Sequence, residues 1–414
     1  MNKVKLKIKD IAEVKNGSTP STKNDDYYDG DIIWITPKDL STQNSKYIYR
    51  GERTITDEGY KSCSAVIVPK GTVLLSSRAP IGLLSIAGTE LCTNQGFKNI
   101  VPHEGKVDSE FLYYYLKTKI SDIEKLGSGT TFKEVSKTSL EGFTVSIPED
   151  IPTQQKIAAV LSALDAKIEL NQRINAELES MAKTLYDYWF VQFAPHKSAG
   201  GEMVWNEALK REIPKGWKVE SIEGCCDIVD CLHAKKPDYE FEDENSYLLQ
   251  LENIRDDGLL DLTNKYFVSK DEYQKWISRI EVTEHDILIT NAGRVAATAQ
   301  VPKGVKTGIG RNITAIRPKS INPTYLFLFF RSFDMKRQVK WNMDAGAFFS
   351  SLNVKGIKKL FIIRPSDDIE EQFENIVKPM RRKREELNRE SQTLTELRDW
   401  LLPMLMNGQV KIQG

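Results

Sequence analysis

The sequence lacks long apolar runs, an excess of either charge, and every common catalytic signature. Its longest hydrophobic stretch, YLFLFF at 325–330, is far shorter than the roughly 20 residues that span a bilayer. The first ten residues, MNKVKLKIKD, alternate lysine with apolar residues and have no signal-peptide core. Lys and Arg number 58, as do Asp and Glu. Zero net charge argues against nucleic-acid binding through bulk charge, though a basic face balanced by an acidic one elsewhere remains open. Five cysteines in 414 residues form no even-numbered framework, so disulfides are not expected and a reducing cytoplasm is. The 4 histidines sit apart and match no triad. No G-x-x-x-x-G-K-[ST] phosphate loop and no glycine-rich methyl-donor loop are present.

What the chain does have is a second copy of itself. SEFLYYYLKTK at 109–119 matches PTYLFLFFRSF at 323–333, with Phe111 on Tyr325, Leu112 on Leu326, Tyr115 on Phe329 and Lys117 on Arg331, a step of 214 positions. The same step places Val14 on Ile228, Ile35 on Leu249, Val68 on Val282 and TVLLSS at 72–77 on DILITN at 286–291. After a short insertion the step becomes 217, which sets Gly129 on Gly346, Pro148 on Pro365 and ELN at 169–171 on ELN at 386–388. A register held over most of each half implies internal duplication.

Each half reads as a globular part followed by a long helix. In the globular part, AVIV-PKG-TVLL is strand, turn, strand. The segment from 109 is a helix, N-capped by Asp108 in one copy and by Asn322 with Pro323 in the other. Its contiguous aromatics are read as core rather than as a base-stacking surface. A long helix runs from about Pro152 to Phe190, with Ile157, Leu164, Leu178 and Leu185 at heptad spacing, Leu161, Ile168, Ala182 and Trp189 as companions, and Asn171 and Asn175 interrupting the seam. Near the end of the chain Phe373, Met380, Leu387, Leu394 and Leu401 keep a seven-residue step. Asp368 with Glu371 reads as the capping box of this second helix, and Pro403 and Gly408 as its end. The heptad phase and the repeat register differ by one residue, and the sequence does not choose between them. The expected class is α+β: two repeated α/β globular halves separated by two long antiparallel coiled-coil helices. The boundaries fall at 1–150, 151–193, a connector at 194–216, 217–365 and 366–414.

A helix of about forty residues is roughly 60 Å long. Two such helices lying antiparallel would relate the two copies by a half-turn, the symmetry of duplex DNA read from its two strands. Each copy would then read a few base pairs, with an unread gap set by the rod.

At this point the chain resembles the specificity subunits of type I restriction-modification systems. The stretch IPTQQKIAAVLSALDAKIELNQRINAELESMAKTLYDYWF is similar to that family's central helix in its Pro-x-Gln-Gln-Lys-Ile start, its Asp-Ala-Lys-Ile-Glu centre and its aromatic end. IVPKGTVLLSSRAPIG and HDILITNAGRVA are similar to strands of its target recognition domains. The terminal helix keeps ELN but has RRKRE where the central helix has Asp-Ala-Lys-Ile-Glu. The resemblance implies a subunit with no catalytic residues of its own. It would bind a bipartite asymmetric site in double-stranded DNA. It would recruit two adenine-methylating subunits that use S-adenosylmethionine, and two motor-nuclease subunits that use ATP and Mg2+. Gln155, Lys156, Asp165, Lys167, Glu169, Trp189, Phe190 and Arg382 are the positions it implies for partner contact.

Residues that mimic other chemistry do not hold up between the copies. NPTY at 322–325 is similar to a methyltransferase adenine loop, but the other copy has DSEF, and Asn322 is better read as a cap. Asp165 with Lys167 and either Glu149 or Asp150 would suit a nuclease, yet Arg382 stands opposite Asp165 in the repeat. Cys225, Cys226, Cys231 and His233 lack the paired spacing of a metal site, and Cys225 and Cys226 fall on the apolar Ile11 and Ala12. Two readings from other classes are a single-chain DNA modification or nuclease enzyme and a coiled-coil DNA-binding regulator.

Base readout needs forked or amide side chains in loops that differ between the copies. Four loop pairs qualify. They are Ser77 and Arg78 with Asn291 and Arg294; Asn94, Gln95 and Lys98 with Arg311 and Asn312; 127–133 (Thr130, Thr131, Lys133) with 346–351 (Ser350, Ser351); and 16–22 with 233–236. Lys336, Arg337 and Lys340 are expected along phosphates. The basic run at 381–384 lies on the helix and suits a partner protein equally well.

Overall fold

The computed structural model describes residues 2–43, 45–129, 133–232, 236–342, 344–345, 350–410 and 412; for 342, 344, 345 and 350 the description is of the backbone alone. The chain forms two compact units, Met1–Leu170 with Thr393–Gly414, and Asn171–Gln392. The boundaries fall within the long helices, so each unit holds one globular half and a piece of both helices.

In unit 1 the globular half is built on β1 (Lys3–Lys7), β2 (Ala12–Asn16), β3 (Val73–Ser77), β4 (Ile81–Ala87), β5 (Phe97–Pro102), α1 (Ser109–Lys117), α2 (Ile120–Glu124) and β6 (Thr144–Pro148). The main sheet has the order β2-β5-β3-β4, with Tyr47–Ile48 on its outer edge. VLLSS of β3 is buried along its whole length, which is why its apolar residues run together rather than alternate. The aromatic helix α1 lies on this sheet: Phe111, Leu112 and Leu116 share a core with Val73, Leu75 and Ile100. Asp108 caps it by accepting the Phe111 N–H at 2.9 Å. A long helix, α3 (Ile151–Tyr186), follows and widens into a π turn at Asp187–Val191.

Unit 2 repeats the plan with β7 (Lys218–Ser221), β8 (Cys226–Asp230), β9 (Ile287–Thr290), β10 (Thr298–Gln300), β11 (Ile313–Pro318), α4 (Pro323–Arg331), α5 (Phe333–Asn342), β12 (Phe361–Arg364) and α6 (Asp367–Asn407). The sheet order is β8-β11-β9-β10. The pairing registers match residue for residue: Val14↔Ile100 against Ile228↔Ile316, and Leu74↔Asn99 against Leu288↔Ala315. β11 therefore stands 216 positions from its counterpart β5, two more than the neighbouring strands of each sheet. The parallel pairs Trp34↔Cys92 and Leu248↔Gly308 carry the same shift.

Within unit 2, partners on α3 and α6 run in opposite directions. Asn171 meets Glu390, Glu179 meets Arg384, and Trp189 meets Phe373. In unit 1, Arg398 bonds Asp165 at 2.8 Å, and Leu402, Leu405 and Met406 join the core of Ile157 and Leu161. Each unit thus holds an antiparallel helix pair. Asn171 and Asn175 are buried in the seam rather than breaking it, and Asn171 donates to the Glu390 carboxylate at 2.9 Å. A buried polar seam residue fixes register at some cost in stability.

The heptad phase prevails over the ELN match. Gln154 accepts the backbone N–H of the cap residue Asp108 at 2.8 Å, and Glu370 accepts that of the cap residue Asn322 at 3.3 Å, a step of 216. Ile157 and Phe373, both buried, keep the same step. The terminal helix starts at Asp367, so Asp368 sits in its first turn rather than at its cap. Pro403 lies inside that helix, and Gly408, at φ 76°, follows its end.

Candidate nucleic-acid interface

The loop that follows β3 and the loop that precedes β5 are tied together by main-chain bonds. In unit 1 the Ser77 N–H donates to the Gly96 carbonyl at 2.7 Å, and the Ser77 carbonyl accepts the Val135 N–H at 3.0 Å. The Ser18 N–H donates to Thr93 at 2.9 Å, which draws in the loop after β2. Gly17 permits that approach, because a Cβ there would stand 1.9 Å from the Asn94 carbonyl oxygen. Three segments distant in sequence thereby line one cleft with Asn16, Gln95, Lys98, Ser128, Glu134 and Lys137.

Charge in this cleft is organised around Glu134. Lys98 is only 5 % exposed and bonds Glu134 at 3.0 Å and the Ser77 hydroxyl at 3.3 Å. Arg78 approaches the other Glu134 oxygen at 3.6 Å. Two cations share one carboxylate, so a net positive charge is left at the cleft. Arg78 is half-buried, Gln95 and Lys133 are exposed, and Thr19 donates to the Gln95 amide oxygen. Asn94 is turned inward, its side chain accepting the Gly96 N–H at 2.9 Å. Ser77 is buried, which corrects the expectation of a free hydroxyl: it serves the frame.

Unit 2 rebuilds the frame with other side chains. The Asn291 N–H donates to the Asn312 carbonyl at 2.9 Å, and the Asn291 carbonyl accepts the Leu352 N–H at 2.9 Å. Where unit 1 has Ser77 with Lys98, unit 2 has Asn291 donating its amide to the Thr314 hydroxyl at 2.9 Å. Asp230 replaces Asn16 and lies 3.2 Å from that hydroxyl. Arg311 and Asn312 are exposed, with Asn312 held at φ 61°. Arg294 is anchored by the Asp256 carboxylate and by the carbonyls of Leu251 and Ile254. Ser351 pairs with Asp344 and Ser350 with Ala345 in a short ribbon beside this frame. Thr130, Thr131, most of 346–351 and 233–235 lie outside the described residues.

The helix positions divide into surface and interior. Gln155, Lys156, Lys167 and Arg382 are exposed. Glu169 is half-buried and accepts from Ser45 at 3.4 Å. Asp165 is engaged by the Tyr114 hydroxyl and Arg398. Trp189 is half-buried. Phe190 is 2 % exposed, with ring centroids 4.6 Å from Tyr325 and 4.8 Å from Phe373. Phe190 is therefore core, which corrects its expected role in partner contact: an aromatic that closes a helix can fit a core as well as an interface. Arg381 and Arg384 also turn inward. Arg381 stacks over Phe327 at 4.6 Å, and Arg384 bonds Glu179 at 3.2 Å.

Sequence reasoning passed over Glu134 and Glu179. Glu179 is shared by Lys183 at 2.8 Å, Arg384 and Arg331. Burial pushes its carboxyl up, but the Lys183 hydrogen bond and the Arg331 and Arg384 charges hold it below the usual carboxylate value. The buried thiols of Cys225, Cys226 and Cys231 are free, and among the described residues no group of acidic, His or Cys side chains is placed to hold a metal. Among them, too, no helix is long and apolar enough to cross a membrane.

Comparison with known proteins bears on this geometry. Residues 2–180 match the model of the type I restriction modification DNA specificity domain. The chain is 35% identical to the type I restriction enzyme MjaIX specificity subunit of Methanocaldococcus jannaschii, over 98% of this chain and 93% of that one. It is 24% identical to the HindI specificity subunit of Haemophilus influenzae, over 92% and 94%. The crystal structure of a type I restriction-modification S subunit from M. genitalium superposes with a TM-score of 0.62 at 17% identity, covering 98% of this chain and 96% of that one.

Proposed function

The chain belongs to the family of type I restriction-modification specificity subunits, and we propose that its two frames each read one half of a bipartite, asymmetric DNA site. Members of this family recognise DNA and leave the chemistry to other subunits. The observation that carries the reading is the pair Ser77 and Asn291: one main-chain scaffold is built twice and furnished with different polar side chains. Equal scaffolds give equal docking on duplex DNA, and unequal side chains give unequal half-sites. Arg78, Gln95 and Lys133 are the exposed or half-exposed donors of the first reader, and Arg311 and Asn312 those of the second. Lys98, Asn94 and Arg294 act by holding the loops.

Two adenine-methylating subunits carrying S-adenosylmethionine, and two motor-nuclease subunits using ATP and Mg2+, complete the complex in this proposal. The chain itself holds no cofactor and works on cytoplasmic DNA. The exposed helix positions Gln155, Lys156, Lys167 and Arg382 suit the methylating partner. The test is to purify the chain with an adenine methyltransferase subunit of the same system, methylate unmodified genomic DNA, and map the marks. Marks confined to one two-part sequence support the reading. Methylation or cleavage by the chain alone, or marks without sequence preference, overturns it.

A further inference from the structure

The short helix α5 has no equal in the first copy. It follows α4 as α2 follows α1, but it has 10 residues where α2 has 5. Its outward stripe is Phe333, Lys336, Arg337, Lys340 and Trp341, spaced i, i+3, i+4, i+7 and i+8 on one face. Its inward face, Met335, Gln338 and Val339, is buried. Phe333 is 73% and Trp341 62% exposed, an unusual outlay of aromatic surface on a helix already anchored in a core. Arg337 lies 5.3 Å from the Trp341 ring. Lys336 and Lys340 form no ion pair among the described residues. Window 333–342 has three cations and one acid, net +2, whereas window 119–128 has two of each, net zero.

This stripe runs on from the reading loops. Lys336 lines a cleft together with Arg294, whose loop follows β9. Arg337 and Trp341 line a second cleft with Lys359. The chain leaving α5 leads to 350–352, where Leu352 bonds Asn291.

We propose that α5 lies along the sugar-phosphate backbone beside the second half-site, with Lys336 and Lys340 on phosphates, and that the first reader has no such grip. Binding strength is then unequally divided: the second reader anchors the complex whatever the local sequence, and the first contributes chiefly base discrimination. This inference rests on the DNA-reading function proposed above. A cationic face next to base-reading loops is complementary to a polyanion, and aromatics on it add contact area to sugar faces.

The experiment uses the chain assembled with its methyltransferase subunit. Affinity is measured across a salt series for a duplex bearing the mapped site and for a random duplex of equal length. The double variant Lys336→Ala with Lys340→Ala is expected to bind both duplexes more weakly by the same factor. Its slope of log affinity against log salt should be shallower by about 1.8, from about 0.9 per lost phosphate contact, with the methylated sequence unchanged. The matched variant Lys119→Ala with Lys125→Ala in the first copy should leave the slope within about 0.5 of the parent. An unchanged slope in the first variant, an equal loss in the second, a changed methylation sequence, or loss of the methyltransferase subunit instead of DNA each overturns the proposal. If the parent complex marks no defined sequence, the DNA-reading function fails first; if it does and the slope stays put, only the role of α5 fails.

Discussion

Ser77 and Asn291 occupy the same point of two separately built frames. Each gives its N–H to the loop before β5 or β11 and receives an N–H from the segment that follows the aromatic helix. Only their side chains, and those beside them, differ. On the proposed function, specificity is carried by a few side chains on a fixed backbone, which makes it separable by mutation.

Arg78→Ala should weaken binding to the mapped duplex by about 1–3 kcal/mol and relax one position in one half-site. Arg311→Ala should relax a position in the other half-site only. Methylation mapping of both variants checks this, and relaxation of both half-sites by either change would contradict it.

Glu134→Gln should act differently. It removes the carboxylate that holds Lys98 and Arg78, so the loops should loosen and the first half-site should become less stringent at several positions. The second half-site should stay as it was, and sequencing of methylated DNA reads both at once.

Phe190→Ala should destabilise unit 2 by about 3–5 kcal/mol, the usual cost of emptying an aromatic core position. The thermal midpoint of the isolated chain should fall accordingly. A folded chain with an unchanged midpoint that no longer binds its methyltransferase would restore Phe190 to the interface.

Glu179→Gln should cost about 3–5 kcal/mol at neutral pH, because it leaves Arg331 and Arg384 buried without their counter-charge. The pH dependence has a definite sign. The Glu179 carboxyl is depressed in the folded chain, so its contribution is complete above the unfolded value of about 4.3 and is lost as pH falls through the lower folded value. The gap between parent and variant in urea midpoint should therefore be wide at pH 7 and begin to close only below about pH 4. A gap that widens on acidification would contradict this.

Much of this architecture was legible in the sequence, because duplication and heptads are periodic signals that survive divergence. The antiparallel helices and the capped aromatic helix follow from such signals. The two-residue slip ahead of β5 and β11 was not legible, since the loops there share no sequence. The heptad phase was settled by Gln154 and Glu370, whose common role of holding a cap residue's N–H is invisible until the helix and cap are seen together. Arg381 and Arg384 read as a surface for a partner protein because the groups they meet, Phe327 and Glu179, lie far away in sequence. Ser77 and Phe190 read as surface because a hydroxyl or a terminal aromatic looks the same in a frame as in an interface.

The most direct test of a two-reader protein with a helical spacer lengthens both helices together. Asn171 facing Glu390 and Glu179 facing Arg384 place Asn175 opposite Leu387. Four residues inserted after each add about 6 Å, roughly one to two base pairs. Mapping methylated adenines in DNA exposed to the lengthened complex should recover both half-sites unaltered, with the unread gap wider by one or two base pairs. Altered half-sites, or an unchanged gap in an active complex, would show that the helices do not set the separation.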